Sequence, residues 1–301
     1  MAGYCLAMDV GGSSIKYGRI GPDRELTEQG KVPTPLRDPE AYIDALAGVY
    51  EQFKGRVEGI ALSVPGAIDS EKGVCITSGA LELPRNFPLV ELLEARCEVP
   101  VTVMNDAKAA AMAEAAWGAL ADCRDGAVIV LGTGIGGALI KDGQVHMGCH
   151  YTAGEFSNIA LDMDLDCPEH LWFGLNGTRR LVTSAAYARG VSPEGVNGEM
   201  VFAWINEGDE AVCRALDRFT ATLALMARNL QLIFDPEKIA IGGGISRQPK
   251  LMESLQKNLD HLNRMSAPSG MPEPQVVTCK YFNDANLIGA YAYYARTRGQ
   301  Q

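Results

Sequence analysis

The chain has 301 residues, 47% of them hydrophobic and 21% charged, which is typical of a globular protein with a sizeable core. Its 27 Lys and Arg residues are outnumbered by 37 Asp and Glu. The resulting net charge of −10 argues against nucleic acid or an anionic membrane as partners, because both require a basic surface. No signal peptide opens the sequence and no apolar stretch is long enough to cross a membrane, so we expect a cytoplasmic protein.

The first part of the chain predicts an α/β pattern that begins with a hairpin. An apolar strand over residues 4–10 ends at the turn Gly11–Ser14 and returns as strands near 15–20 and 25–33. A Rossmann or Walker loop would instead lead directly into a helix. The elements that follow are a helix over 39–54, a strand over 59–65, a short helix over 88–96, a strand over 99–104 and an Ala-rich helix over 107–117.

The strand–turn–strand unit then recurs, with a strand over 126–131, a glycine-rich turn over 132–137 and a returning strand over 138–141. This recurrence indicates a duplicated fold whose two lobes face one cleft. The remaining elements are a helical region over 209–234, a strand over 238–241 followed by the turn Gly242–Gly244, a helix over 248–264, a strand over 275–278 and a last helix over 284–298.

This order of elements predicts mixed sheets with helices on both faces. We expect a small lobe over residues 1–110 and a larger lobe over 111–283. The C-terminal helix, 284–301, is expected to pack back on the small lobe.

Three glycine-rich turns follow apolar strands, and each could present backbone N–H groups to phosphate. A single turn of this kind is weak, because most are ordinary bends. The set is more specific when the hydroxyls of Ser13, Ser14 and Thr133 are included. The pair Asn105-Asp106 between a strand and a helix has two interpretations: Asp106 can accept a proton from a substrate hydroxyl, or it can cap the helix.

These segments together resemble the ROK family of sugar kinases and sugar-responsive repressors, within the actin-like or hexokinase superfamily. The resemblance is carried by Asp9–Lys16 and Leu131–Gly137 for two phosphate motifs, Ser63–Asp69 for a sugar-lining loop, Asn105–Ala111 for the catalytic motif, Gly154–Phe156 for part of the sugar motif and Ile241–Ile245 for the adenosine motif. It implies a duplicated actin-like ATPase fold, which is ribonuclease H-like, and an ATP- and Mg²⁺-dependent sugar kinase.

The resemblance also implies roles for individual residues. Asp106 would be the general base, and Asp9 would hold Mg²⁺, directly or through water. The sugar would be bound by Gly66, Asn105, Asp106, Glu155 and Asn158. The phosphates and the nucleoside would be bound by Gly11, Gly12, Ser13, Ser14, Gly132, Thr133, Gly134, Gly243 and Gly244. Without the family pattern, Glu155 would be interpreted as a surface or capping carboxylate.

The sequence departs from the family at its zinc site. Most ROK kinases follow the Gly-Glu motif with a zinc-binding His, where this chain has Asn158, and the family's three cysteines fall on Leu171, Phe173 and Thr178. We therefore expect no structural zinc, because such sites need four N or S ligands. Arg180 stands where the family has a glutamate that contacts the sugar near its anomeric end.

The eight cysteines form no C-x-x-C pair, so we expect mostly reduced thiols. One alternative stays open. Cys167 and His170 have C-x-x-H spacing and could form a different metal site with His146, Cys149 and His150.

Zinc-free relatives with such changes resemble β-glucoside kinases and N-acetylmannosamine kinases. We expect transfer of the γ-phosphate to the 6-hydroxyl of a hexose or β-glucoside, with an N-acetylmannosamine kinase or a catalytically silent sugar sensor as alternatives. A repressor is not expected, since only eight residues precede Asp9 and the chain is acidic. The resemblance also implies a homodimer.

Overall fold

The structure is a computed structural model that describes residues 3–161, 171–266 and 270–299, with the side chain of Ser266 left out. The described residues fall into two compact units. The first lies within Met1–Gly118, Met147–Ala153 and Asn283–Gln301, and the second lies within Ala119–His146 and Gly154–Phe282.

The first unit is built on a five-stranded mixed sheet and a separate short hairpin. The strands of the sheet are β1 (Cys5–Val10), β2 (Ser14–Ile20), β3 (Thr27–Pro33), β4 (Ile60–Val64) and β7 (Val101–Asn105). The hairpin consists of β5 (Ile68–Asp69) and β6 (Val74–Cys75). The sheet order is β3-β2-β1-β4-β7, with β5 and β6 forming a separate hairpin. β1 runs antiparallel to β2 and parallel to β4, which is parallel to β7. The central strands are apolar because both of their faces are covered.

The helices of the first unit are α1 (Pro39–Glu51), α2 (Leu89–Cys97), α3 (Asp106–Trp117) and the C-terminal helix α9 (Ala285–Gly299). α1 begins where Asp38 Oδ1 accepts a hydrogen bond from the Ala41 N–H, and Pro39 occupies its first turn. α3 is rich in alanine and packs on α9. A Cβ added at Gly289 would lie 1.6 Å from the Ala109 carbonyl oxygen, so these helices touch backbone to backbone.

The second unit repeats this sheet. Its strands are β8 (Gly126–Leu131), β9 (Ile135–Lys141), β10 (Gln144–Val145), β11 (Lys238–Gly242) and β12 (Val276–Thr278), in the order β10-β9-β8-β11-β12. β8 is antiparallel to β9 and parallel to β11, which is parallel to β12. The order and the strand directions are those of the first sheet. The duplication expected from the two strand–turn–strand units is therefore present in the structure.

The helices of the second unit are α4 (Trp172–Asn176), α5 (Thr178–Arg189), α6 (Gly198–Asn206), α7 (Glu210–Phe234) and α8 (Pro249–Ser266). α7 is capped by Asp209, whose Oδ1 accepts from the Ala211 and Val212 N–H groups. It buries one face at spacings of three and four residues, through Val212, Leu216, Phe219, Leu223, Met226 and Leu230. Each unit thus has its own hydrophobic core.

Most predicted elements coincide with observed ones. The hairpin β5–β6, the short strand β10 and the helices α4 to α6 have no counterpart in the sequence-based prediction. The helix α3 ends at Trp117, as predicted, and lies within the first unit. Its N-cap is Asn105 and not Asp106, because Asn105 has extended backbone angles and its Oδ1 accepts from the Lys108 N–H at 3.1 Å.

Across the described ranges, no helix has both the length and the apolar character needed to cross a bilayer.

Candidate active site

Asp9 is held near the end of β1 by two neutral donors. Ser63 Oγ, from β4, donates to Asp9 Oδ1 at 2.9 Å, and Asn286 Nδ2, from α9, donates to the same oxygen at 2.8 Å. The carboxylate is half-buried and oriented by two other elements. Mg²⁺ prefers oxygen ligands and keeps several waters, so a single fixed carboxylate beside the predicted phosphate turn fits its requirements.

The turn between β1 and β2 is open to a ligand. The Gly11 N–H donates to the Ser14 carbonyl oxygen at 3.0 Å, which closes the turn. Thr34 supports it from outside, with its Oγ1 donating to the Gly11 carbonyl oxygen at 2.7 Å and its N–H to the Ser13 carbonyl oxygen at 3.3 Å. Gly11, Gly12 and Ser13 are exposed. The predicted first phosphate turn therefore has an accessible and well-supported backbone.

Gly66, Asn105 and Asp106 are brought together in the first unit. Gly66 has a φ of 102°, and a Cβ there would lie 2.2 Å from the Thr77 carbonyl oxygen, so the position requires glycine. Asn105 Nδ2 donates both to the Gly66 carbonyl oxygen at 3.0 Å and to Asp106 Oδ1 at 2.9 Å. Asp106 Oδ1 also accepts from the Ala107 N–H at 2.8 Å. The carboxylate is thus oriented by its own chain neighbours.

Asn105 is only 4% exposed, and its two amide hydrogens are both used in these contacts. Its Oδ1 caps α3 and has one further lone pair. Asn105 can therefore accept a hydrogen bond from a ligand through this carbonyl oxygen, but it has no amide hydrogen left to donate.

Three residues near this group, Lys108, Tyr151 and Asp69, were given no role of their own from the sequence. Lys108 is completely buried, and its Nζ donates to the Tyr151 carbonyl oxygen. The Tyr151 phenol is hydrogen-bonded to Asp69, which raises the pKa of the phenol. Lys108 lies among alanines on a helix whose residues are mostly buried, and a lysine in such an apolar run is the signal that could have identified it.

In the second unit, the turn after β8 is anchored to the start of α5. The Thr178 N–H donates to the Gly132 carbonyl oxygen at 2.9 Å, and the Arg179 N–H to that of Thr133 at 3.4 Å. A Cβ at Gly177 would lie 2.4 Å from the Thr133 carbonyl oxygen. Gly177 therefore allows the turn and the helix to pack in direct contact.

A pocket of about 710 Å³ opens beside this turn. Its lining combines two of the predicted glycine turns with the helices α5 and α6, through Leu131, Gly132, Thr133, Thr178, Arg179, Val182, Thr183, Tyr187, Pro193, Glu194, Val196, Asn197, Gly198, Gly244 and Ile245. The size lies within the usual range for small-molecule sites. Gly243 has a φ of 93° and a Cβ there would meet the Leu131 carbonyl oxygen at 2.2 Å, so it shapes the turn without lining the pocket.

The sugar motif of the second unit lies against β9. Gly154 has a φ of 81°, and a Cβ there would lie 2.7 Å from Ala138 Cα. Glu155, which follows, is half-buried, and Phe156 is buried. Asn158 is exposed and donates from Nδ2 to Ser157 Oγ at 3.2 Å. Glu155 and Asn158 thus belong to the second unit, whereas Gly66, Asn105 and Asp106 belong to the first.

The segment onto which the family's zinc cluster was aligned forms α4 and the start of α5. Trp172 is buried, stacks on Phe156 at a ring distance of 5.6 Å and donates from Nε1 to Asn176 Oδ1 at 2.7 Å. Asn176 Nδ2 in turn donates to the Phe219 carbonyl oxygen at 2.7 Å. Arg180 is exposed on α5. An aromatic stack and a buried amide hold this segment to the second core.

Only some residues of the alternative metal site, His146, Cys149 and His150, are among the residues that the structure describes. Cys167 and His170 lie outside the described residues. In the part of the chain that the structure describes, no three His, Cys, Asp or Glu side chains are grouped as metal ligands. Cys149 Sγ lies 3.1 Å from His150 Nδ1, and both residues are exposed.

Comparisons with known proteins find similarity along nearly the whole chain. The chain matches the model of the ROK family over residues 5–297. It is 32% identical over 291 residues to a β-glucoside kinase of Klebsiella pneumoniae, covering 96% of this chain and 95% of that protein. It is 28% identical over 305 residues to an N-acetyl-D-glucosamine kinase of Vibrio atlanticus, covering 94% and 96%. A ROK family glucokinase from Streptomyces griseus, solved with glucose and AMPPNP, aligns with a TM-score of 0.85 at 26% identity, covering 98% of this chain and 100% of that one.

The likeness to this solved structure and the repeated strand order confirm the predicted α/β fold, which is the two-domain actin-like ATPase fold. The family model covers nearly the whole chain, and the predicted motifs follow in the same order along it. The chain belongs to the ROK family.

Proposed function

We propose that this chain is an ATP-dependent carbohydrate kinase that transfers the γ-phosphate to the 6-hydroxyl of a hexose or β-glucoside. The observation that carries the proposal is the oriented carboxylate of Asp106 at the β7–α3 junction, in a chain similar over nearly its whole length to a β-glucoside kinase. The AMPPNP in the Streptomyces griseus relative supports ATP as the donor.

Asp106 would act as the general base. A carboxylate can accept the proton of the sugar hydroxyl as that oxygen attacks the γ-phosphorus. The donors Asn105 Nδ2 and Ala107 N fix the direction of the Asp106 carboxylate before the sugar arrives. Such pre-orientation lowers the entropic part of the barrier.

The sugar would be held by Gly66, Asn105, Asp106, Glu155 and Asn158. Because the amide hydrogens of Asn105 are already engaged, we propose that its main task is to align Asp106 with the Gly66 loop. Its carbonyl oxygen would be the atom that contacts a sugar hydroxyl.

The nucleotide would enter the pocket of the second unit. Its phosphates would meet the turns at Gly11, Gly12, Ser13 and Ser14 and at Gly132, Thr133 and Gly134. Gly244, which lines the pocket, would leave room for the nucleoside, and Gly243 would shape the turn that carries it. Asp9 would hold Mg²⁺, directly or through water, and the bound ion would neutralise charge on the transferring phosphoryl group.

A second candidate is an N-acetylhexosamine kinase. The similarity to the Vibrio atlanticus protein named N-acetyl-D-glucosamine kinase supports this candidate. Among N-acetylhexosamine kinases, the sequence favours an N-acetylmannosamine kinase. We also propose a homodimer, which light scattering coupled to gel filtration would test.

The deciding experiment is ADP release, measured by a coupled assay against glucose, mannose, N-acetylglucosamine, N-acetylmannosamine and β-glucosides. Asp106→Asn is expected to lower kcat about 10²- to 10⁴-fold, the usual contribution of a general base. Asp38→Asn is the matched control, because it changes another carboxylate at a helix start, remote in sequence from these motifs. Sugar binding without ADP release from any member of the panel would instead establish the silent sensor.

A further inference from the structure

Lys108 is an unusual residue for its position. It lies in the first turn of α3, two residues after Asp106, and is 0% exposed. A lysine is almost never fully buried unless its ammonium group has partners, because leaving water is unfavourable for the charged form. Its Nζ donates to the Tyr151 carbonyl oxygen at 2.5 Å.

Tyr151 is held at its other end as well. Its phenol is hydrogen-bonded to Asp69, a residue of β5 that is 6% exposed. Burial by itself would raise the pKa of the Asp69 carboxyl, but hydrogen bonds from the Lys72 backbone N–H, the Tyr151 phenol and the Lys72 ammonium hold it below its ordinary value. The carboxylate is thus ionised at neutral pH and is a strong acceptor.

The segment that Tyr151 belongs to needs such support. Met147–Ala153 is the only stretch between β10 and α4 that is grouped with the first unit, among the residues described. Tyr151 has a φ of 60° and Gly148 a φ of 70°. A positive φ is unfavourable for a tyrosine and persists where the surroundings enforce it.

The two anchors of this segment come from the elements that carry the proposed sugar-binding group. Lys108 is on the helix that begins with Asp106, and Asp69 is on the hairpin that follows Gly66. The chain continues from Ala153 into Gly154 and Glu155 without an intervening residue. Tyr151 is therefore joined to Glu155 by only four peptide units, so a displacement of Tyr151 alters the backbone that leads into Glu155.

We propose that Lys108, Tyr151 and Asp69 are positioning residues that set the sugar affinity by fixing the backbone that leads into Glu155. The kinetic part of this inference rests on the proposed sugar kinase activity. It predicts an effect on sugar binding that is separate from nucleotide binding, which a general loss of stability would not produce.

The test compares Tyr151→Phe with Tyr293→Phe. The first removes the phenol from Asp69. The second removes a phenol that donates to the Ser70 carbonyl oxygen of the same hairpin at 3.3 Å, and so serves as the matched control. Tyr151→Phe is expected to raise the KM for the sugar about 3- to 10-fold, with the KM for ATP unchanged, since one hydrogen bond to a charged group is lost. Tyr293→Phe should leave both values unchanged.

Two further variants each remove one anchor. Asp69→Ala removes the acceptor of the Tyr151 phenol, and it is expected to raise the sugar KM about as much as Tyr151→Phe. Lys108→Met removes the donor to the Tyr151 carbonyl oxygen at similar side-chain volume, and it should raise the sugar KM at least as much as Tyr151→Phe.

Hydrogen exchange supplies a readout that does not depend on catalysis. The amides of Met147–Ala153 should exchange faster in Tyr151→Phe than in Tyr293→Phe. Unchanged exchange would refute the anchoring. Faster exchange with an unchanged sugar KM, or with equal rises in both KM values, would refute the positioning role. If the parent protein phosphorylates no sugar, the proposed function fails, and sugar binding by calorimetry together with the exchange rates still decides this inference.

Discussion

The contact between α3 and α9 can be tested by the substitution Gly289→Ala. The added Cβ would lie 1.6 Å from the Ala109 carbonyl oxygen and 2.4 Å from its carbonyl carbon, whereas Cβ atoms essentially never approach other atoms within 3.0 Å. The helices would have to separate locally by about 1.4 Å to reach that limit. Because the obstacle is backbone, no side-chain rotation can relieve the clash.

Two effects of opposite sign compete in this variant. Helix propensity favours alanine over glycine by roughly 1 kcal/mol in a helix interior. Overpacking of a core typically costs about 1–3 kcal/mol and sometimes more. Separation of the helices also weakens dispersion contacts along the interface, which places the cost at the upper end. We therefore expect Gly289→Ala to lower the free energy of unfolding by about 2 kcal/mol.

The control for this prediction is Gly48→Ala in α1. Gly48 is exposed, and a Cβ added there meets nothing within 4 Å. It should raise the free energy of unfolding by roughly 0.5–1 kcal/mol. Urea unfolding followed by far-UV circular dichroism would compare the two variants with the parent protein. If Gly289→Ala raised the urea midpoint as Gly48→Ala does, the close helix contact would be wrong.

Two further predictions concern the glycine turn that follows β8 and the carboxylate of Asp69. Gly177→Ala would place a Cβ 2.4 Å from the Thr133 carbonyl oxygen, so it should displace that turn and raise the KM for ATP about tenfold or more, with a much smaller effect on the sugar KM, in the coupled assay. Since the pKa of Asp69 is lowered in the folded state, its ionisation stabilises the fold above its ordinary value of 3.8, and this contribution disappears as the pH falls through the folded-state pKa. The difference in unfolding free energy between the parent protein and Asp69→Asn should therefore be constant above about pH 5 and shrink as the pH falls from there through the folded-state pKa. A constant difference over that lower range would contradict the lowered pKa.

The strong local patterns of the sequence were sufficient for most of the fold. Short apolar runs ending at Gly11 and Gly132 predicted the repeated strand–turn–strand units, and both are present. The ROK resemblance rested on motifs in order along the chain, and the family model confirms it. The roles assigned to the site residues stay predictions until variants are measured.

Other features could not be predicted because their cause is tertiary. The helices α4 and α6 have five and nine residues, and Gly177, Gly190 and Gly198 lie at the ends of α4 to α6, so no long periodic pattern marks this region. Their places depend on contacts such as the stack of Trp172 on Phe156, which are remote in sequence. As a result, the pocket residues from α5 and α6 were missed, although the glycine turns beside them were not.

The role of Asn105 shows how geometry refines a motif. The resemblance assigns it to the sugar, together with Asp106. In the structure, one amide group donates to the Gly66 carbonyl oxygen and to Asp106, while the amide oxygen caps α3 through the Lys108 N–H. An aspartate in its place could keep the cap, but it would lose both donors and set two carboxylates side by side, which would raise the pKa of one of them. The asparagine suits this junction because it combines a helix cap with two donors, one of which orients Asp106, the proposed base.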